Sequence, residues 1–241
     1  KMIKFFRKIR QKLLSENNFS KYLIYAIGEI VLVVIGILIA LSLNNWNDSK
    51  KKKIEERVLL TELMKNLEIN ITQIKEDIEW DSVAISSGKI IMNVLNNKIS
   101  YSDTLDNHFQ NSRLVPNSFL TTSSYKAIEN RGFHIVSSIF LRKKIMKLFD
   151  DTYPSMILEI NNIDENTLKT NMQNYMINHF EYSNGQLKPN DYQELLEDQR
   201  YRNILSYNIE IQGYFKWMRI DCLKQVELLI EEIDKELNKE K

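Results

Sequence analysis

Residues 22–43 read YLIYAIGEIVLVVIGILIALSL, an almost unbroken apolar run whose only charged residue is Glu29. At 1.5 Å rise per residue, a helix of this stretch is about 33 Å long, which matches the roughly 30 Å hydrocarbon core of a bilayer. The run therefore predicts one transmembrane helix over residues 22–43. The rest of the chain is organised around it, as a short segment before the membrane and a large one after it.

The overall composition favours helices and excludes some classes of function. The chain has only six glycines and three prolines in 241 residues, so turn-rich β architecture is not expected. A net charge of +1 gives no global field to attract nucleic acid, so no nucleic-acid partner is expected. Cys222 is the only cysteine, which leaves no intrachain disulfide and no cysteine-based metal cluster.

The segment of residues 1–21 alternates apolar and basic residues at helical spacing. This pattern predicts a basic amphipathic helix that lies on anionic lipid headgroups, with a basic, disordered leader as the alternative. A secretory signal also has a basic leader, but residues 22–43 are longer than its apolar region, so we expect an uncleaved signal-anchor. The residues expected to bind the membrane surface are Lys4, Arg7, Lys8, Arg10 and Lys12 before the span and Lys50, Lys51, Lys52 and Lys53 after it.

The orientation in the membrane follows from these basic residues. They flank the span on both sides, so the positive-inside count is nearly balanced. The leader carries more of them and emerges first, which favours a cytoplasmic N-terminus in a bacterial inner membrane. The large C-terminal domain would then lie in the periplasm of a Gram-negative host.

One face of the predicted span carries features of helix association. Gly36 and Ala40 form a small-xxx-small pair, which permits close approach of two helices. Glu29 on the same face costs about 2.5–3.5 kcal/mol near mid-membrane, so it is expected to be protonated, paired or facing a polar interior. The residues of this association face are Tyr22, Tyr25, Glu29, Val33, Gly36 and Ala40.

Beyond a polar and basic juxtamembrane segment, residues 44–57, a long helix is predicted from Ile54 to about Asn97. An apolar seam with steps of four and three marks it as coiled-coil-like; its members are Leu60, Met64, Leu67, Ile71, Ile74 and Ile78. The seam keeps the heptad phase of the span, so one helix could run through both, with a short kink at residues 44–49 as the alternative. Either an intermolecular coiled coil or an intramolecular bundle would cover the seam, and the later helices favour the bundle.

Further helices are predicted over residues 58–241, the expected soluble domain. A connector with one short helix spans residues 97–118, and residues 183–191 are predicted to be a loop. Helices are expected to start at Thr121 or Thr122, at Ser137 or Ser138, and near Pro154, where Asp150 and Asp151 would act as caps. The third of these runs to about Tyr182. The last predicted helix, from Asp191 onward, buries a stripe formed by Phe215, Met218, Cys222, Val226, Leu229, Ile233 and Leu237.

Two segments resemble a known family. MIKFFRKIRQKLLSE followed by YAIGEIVLVVIGILIALSLNNWN is similar to the N-terminus of a family of uncharacterised bacterial single-pass membrane proteins. A segment beginning SSYKAIENRGF is similar to its internal motif, whose positions here are Tyr125, Ile128, Gly132, Ile135, Leu141, Ile145, Leu148 and Tyr153. The resemblance implies an uncleaved inner-membrane anchor with Glu29 as a family feature, and it implies no activity.

The sequence shows no pattern that indicates catalysis. His108, His134 and His179 are far apart and lack the spacing of a zinc helix, and no phosphate-binding glycine loop is present. We therefore expect no enzyme activity, cofactor or metal, and an all-α protein with an interfacial helix, one transmembrane helix and an extramembrane antiparallel bundle. The expected function is structural or assembly, as a homo-oligomer or a subunit of a membrane complex. The alternative is an ion- or proton-conducting oligomer with Glu29 lining a pore.

Overall fold

The computed structural model describes residues 19–239, without the side chains of Phe19, Lys21 and Tyr22. Most of this part is helical, and the strands are few, as expected from the sequence. The helices and strands are α1 (Phe19–Asn96), α2 (Thr104–Asn111), α3 (Ser123–Arg131), α4 (Ile139–Met146), α5 (Tyr153–Ile163), α6 (Asn174–His179), β1 (Phe180–Ser183), β2 (Gln186–Pro189), α7 (Tyr192–Glu197) and α8 (Gln199–Asn238). The predicted interfacial helix and its basic residues Lys4, Arg7, Lys8, Arg10 and Lys12 lie outside the described residues.

The chain divides into two units, residues 1–55 and residues 56–241. In the first unit, every residue from 23 to 54 is exposed except Ala26 and Glu29, which are half-buried. Residues 44–49, where the sequence also allows a short kink, are helical. Within the described residues, one helix is long and apolar enough to cross a membrane, and none of its apolar window is buried.

In the second unit, α8 runs antiparallel to residues 56–96 of α1. Arg57 donates to the carbonyl of Leu237, near the end of α8, over 2.7 Å. Arg202, near the start of α8, donates to the carbonyl of Leu95 over 2.9 Å. Both helices contribute to a large apolar core that also takes in α3, α4 and α5.

The predicted stripe on α8 is buried, with Met218 packed against its edge. Only some residues of the predicted seam on α1 are buried. Leu60, Leu67 and Ile74 are buried, whereas Met64, Ile71 and Ile78 are half-buried at the edge of the core. The positions fully buried in their place are Leu63, Asn70 and Asp77. A search for apolar residues alone therefore passes over the polar members of the seam.

The α-helix predicted to start near Pro154 does start there, at Tyr153, but the chain enters it from another helix rather than from a capped end. α4 continues through a π-helical turn, Lys147–Thr152, directly into α5. Asp150 and Asp151 lie inside this continuous helical run and are not caps; Asp150 instead accepts a hydrogen bond from the Tyr125 hydroxyl over 2.6 Å. Proline cannot donate a backbone hydrogen bond and crowds the preceding turn, and the π-helical turn ends two residues before it.

The cap predictions for the neighbouring helices differ in outcome. Ser138 caps α4, because its side chain accepts a hydrogen bond from the amide of Leu141. Thr122 stands at the N-cap position of α3 but makes no such bond. Gly132 ends α3 at φ +90°, a conformation that favours glycine.

A β-hairpin replaces the loop predicted at residues 183–191 and the end of the helix predicted to reach Tyr182. β1 and β2 pair antiparallel, with Ser183 opposite Gln186. Asn184 and Gly185 between them have φ of 52° and 80°. Positive φ at both central residues defines the type I′ turn, for which Asn-Gly is the strongest sequence signal. That dipeptide could have revealed the hairpin from the sequence.

Candidate functional site

The predicted association face lies on α1 within the first unit. Tyr25 and Val33 are exposed, by 38% and 58%, and Glu29 is half-buried. A Cβ atom added at Gly36 would meet nothing within 4 Å. The packing of a single chain therefore does not require a glycine at this position. The side chain of Tyr22, the remaining aromatic member of the face, lies outside the described residues.

The second basic group follows the apolar run on α1. Lys50, Lys51, Lys52 and Lys53 are all exposed. The ammonium of Lys50 lies 5.6 Å from the ring centroid of Trp46, within the range of a cation–π contact. An aromatic ring beside lysines is typical of a membrane–water interface.

A buried cluster of charged residues lies in the second unit, and sequence analysis missed it. Nη1 of Arg219 lies 2.7 and 2.6 Å from the two carboxylate oxygens of Asp81. A second acid, Asp77, has one carboxylate oxygen 3.8 Å from Nε of Arg219. All three side chains are buried, Arg219 and Asp81 completely. The ion pair joins α1 to α8 inside the second unit.

Arg219 belongs to a row of polar side chains on α8. These side chains hold the connector between α2 and α3, which comprises residues 112–122 rather than the predicted 97–118. Asn208, Gln212 and Arg219 donate to the carbonyls of residues 112, 114 and 116 over 2.6, 2.7 and 2.8 Å. Alternate carbonyls of the connector, from Ser112 to Pro116, are therefore bound by side chains of α8. These carbonyls have no partner in a helix or a sheet. The side chains of α8 supply one, so the carbonyls are not buried without a hydrogen bond.

α1 holds the other end of the connector. The amide of Asn70 donates to the carbonyl of Thr121 over 3.0 Å and accepts from its backbone N–H over 2.7 Å. Asp77 accepts from the Ser118 hydroxyl over 2.5 Å. Asn70 and Asp77 are seven residues apart, as are Gln212 and Arg219. Polar residues at a heptad spacing in phase with an apolar seam are the signal that could have predicted this arrangement.

The environment of Asp81 shifts its proton affinity. Burial raises the pKa of the Asp81 carboxyl from 3.8 to about 6, against the opposing effect of Arg219. The neighbouring Asp77 charge also raises it, and Lys216 opposes it. A carboxyl whose pKa is raised on folding binds its proton more tightly in the folded state.

We therefore expect a pH dependence of stability that Asp81→Asn removes. The stabilising contribution of Asp81 is complete below pH 3.8 and is lost as the pH rises through about 6. The free energy of unfolding of the wild type should fall relative to that of Asp81→Asn between pH 4 and 7. Chemical denaturation of both proteins at intervals of one pH unit measures this difference, and parallel curves would contradict it.

The histidine and cysteine side chains are the remaining candidates for a chemical role. Within residues 19–239, no group of three or more His, Cys, Asp or Glu side chains is placed to hold a metal ion. His108 lies 3.2 Å from the Ser87 hydroxyl, and His179 stacks on Tyr175 with centroids 4.3 Å apart. Burial raises the pKa of the Cys222 thiol to about 12, which keeps it protonated as a core residue, as expected.

Comparison with known proteins places the chain in a family context. The model described as "Family of unknown function (DUF6090)" matches residues 29–209, about three quarters of the chain. No curated protein and no solved structure matches. The match starts within the apolar run and ends in α8, so it covers Glu29 and most of the second unit.

Proposed function

This chain belongs to the DUF6090 family of unknown function, and because membership brings no activity with it, we propose from its physical features that it is a membrane-anchored structural or assembly protein. The observation that carries the proposal is the apolar part of α1, in which every side chain described except those of Ala26 and Glu29 is exposed. Each large aliphatic side chain gains about 1.5–3 kcal/mol when it leaves water. A helix that is apolar all round is stable only inside a protein core or a bilayer.

Three features support the proposal that this helix is embedded in lipid. The run of residues 22–43 matches the thickness of a bilayer. Trp46 and Lys50 follow it in the arrangement typical of a membrane interface. The resemblance of the N-terminal segment to bacterial single-pass proteins agrees with both. We propose an uncleaved anchor in a bacterial inner membrane, with the N-terminus in the cytoplasm and residues 58–241 in the periplasm.

The second unit supplies the assembly domain in this proposal. The antiparallel pairing of α1 and α8 and the shared core support an extramembrane helical bundle. Among the side chains of this unit that are exposed and large are Trp80, Tyr214 and Trp217. Exposed aromatic residues are typical of surfaces that contact other proteins.

An alkaline carbonate wash of native membranes tests the anchor. The chain is expected to remain in the membrane pellet, because its release would expose the apolar helix to water. A variant without residues 23–43 is the matched control and is expected in the supernatant. Release of the full chain would refute the proposal.

Self-association through the face that contains Gly36 is the second part of the proposal. Gly36→Leu is expected to weaken self-association in mild detergent about tenfold, because the larger side chain keeps the helices apart. Gly28→Leu is the matched control: Gly28 has equally open surroundings but lies about 100° around the helix from the face. Analytical ultracentrifugation measures both variants.

Two results would change this assignment. Equal self-association of the Gly36 and Gly28 variants would exclude the face as the contact. If Glu29→Gln left the oligomer intact but abolished ion flux in liposomes, a conducting oligomer would replace the assembly protein.

A further inference from the structure

A cleft in the second unit lies between the connector and the π-helical segment Asp164–Gln173. It has a volume of about 270 Å³, and a second cavity of about 210 Å³ adjoins it along α8. The two share Leu168, Met172 and Asn208. Together they reach the range of 300–1,000 Å³ that is typical of small-molecule sites.

One wall of this cleft has an unusual backbone. The segment Asp164–Gln173 is π-helical over ten residues. π-Helices are rare, occur mostly as single turns and are frequent at functional sites. Leu168 and Met172 of this segment are almost fully buried and form the apolar floor between the two cavities.

The opposite wall is held in place by buried side chains. Asn208 and Gln212 bind the carbonyls of Ser112 and Leu114, immediately beside the cleft. Asn208 itself lines both cavities and is 2% exposed. This wall of the cleft is therefore held in place before a ligand binds, which lowers the entropic cost of binding.

The two halves of the cleft differ in chemistry. The smaller cavity is lined mainly by apolar surface from Leu168, Met172, Ile204 and Tyr207. The larger one adds the cations Arg113 and Lys169 and the acid Asp164. Lys169 is paired with Asp164 over 2.8 Å, so Arg113 supplies the net positive charge of the lining.

Arg113 is suited to receive an anion. Its Nε and Nη2 donate to the neutral amide oxygen of Gln110 over 3.2 and 3.1 Å. The guanidinium therefore keeps its full charge at the mouth of the larger cavity. We propose that this cleft binds a small amphipathic carboxylate, with its apolar chain over Leu168 and Met172 and its carboxylate at Arg113.

Binding of hexanoate to the full chain in amphipol, followed by isothermal titration calorimetry, tests this proposal. Hexanoate is expected to bind with a Kd of about 1 mM or tighter, and hexanamide, which has the same chain without the charge, at least tenfold more weakly. Arg113→Gln is expected to remove this preference, whereas Arg200→Gln, which alters an exposed arginine that lines neither cavity, should keep it. Equal binding of hexanoate and hexanamide would overturn the proposal.

A second pair of variants tests where the apolar chain of the ligand lies in the cleft. Asn171→Trp places a large side chain at the rim of the smaller cavity and is expected to weaken hexanoate binding at least tenfold. Asn166→Trp changes another exposed asparagine of the same π-helical segment that lines neither cavity, and it should bind like the wild type. Equal affinity of the two variants, with helical content unchanged by circular dichroism, would overturn the proposal.

Discussion

Replacing Arg219 by methionine is expected to lower the free energy of unfolding of residues 56–241 by about 3–5 kcal/mol. The substitution leaves the carboxylate of Asp81 completely buried without its ion-pair partner, beside the second buried acid Asp77. It also removes the donor to the carbonyl of Pro116. Denaturation of the full chain in detergent, followed by the fluorescence of Trp80 and Trp217, measures the change.

Lys75→Met is the matched control for this experiment. Lys75 pairs with Glu227 across the same two helices, but both side chains are about half exposed and the distance is 3.6 Å. Exposed pairs contribute about 0–1 kcal/mol, so a small loss is expected. Equal losses in the two variants would show that the burial of the Asp81–Arg219 pair has no special effect. Adding Asp81→Leu to Arg219→Met should recover part of the loss, because the unpaired charge is removed.

Leu229→Ala is expected to lower the free energy of unfolding by about 2–5 kcal/mol. Leu229 is 2% exposed and belongs to the core shared by α1 and α8. Its neighbour Leu228 is 55% exposed, which makes Leu228→Ala a control with identical chemistry on the same helix. The control is expected to change stability by no more than about 0.5 kcal/mol.

The same denaturation measurement compares the two leucine variants. A loss for Leu228→Ala as large as that for Leu229→Ala would mean that Leu228 is covered in solution. It would also mean that the exposed face of α8 contacts another molecule. Similar small losses in both would contradict the assignment of Leu229 to the core.

The sequence predicted the features that depend on neighbours along the chain. The apolar run predicts a helix by its length and composition, and the stripe from Phe215 to Leu237 predicts a buried face by its spacing. The start of α4 at Ser138 follows from a local hydrogen bond. The sequence signal of the hairpin, Asn184 followed by Gly185, is equally local. It was missed because the surrounding residues were assigned to a helix and a loop.

The features that the sequence did not reveal depend on distant partners. Asn70, Asp77 and Asp81 resemble solvent-facing helix residues until α8 and the connector supply their partners. Asp81 and Arg219 are 138 positions apart. Polar residues inside a seam become recognisable only when their spacing is compared with the apolar positions around them. The cleft likewise combines the connector, a π-helical segment and α8, and no local pattern marks it.

The distance along the chain between the partners of the buried Asp81–Arg219 pair also determines when the fold can be completed. At about 5–20 residues per second, a ribosome needs roughly 7–28 s to make the stretch from Asp81 to Arg219, which are 138 positions apart. During that time the acids on α1 remain hydrated and the apolar seam has no α8 to cover it. The nascent chain therefore carries an exposed seam for many seconds, and we expect it to depend on a chaperone or on the membrane until α8 has been synthesised.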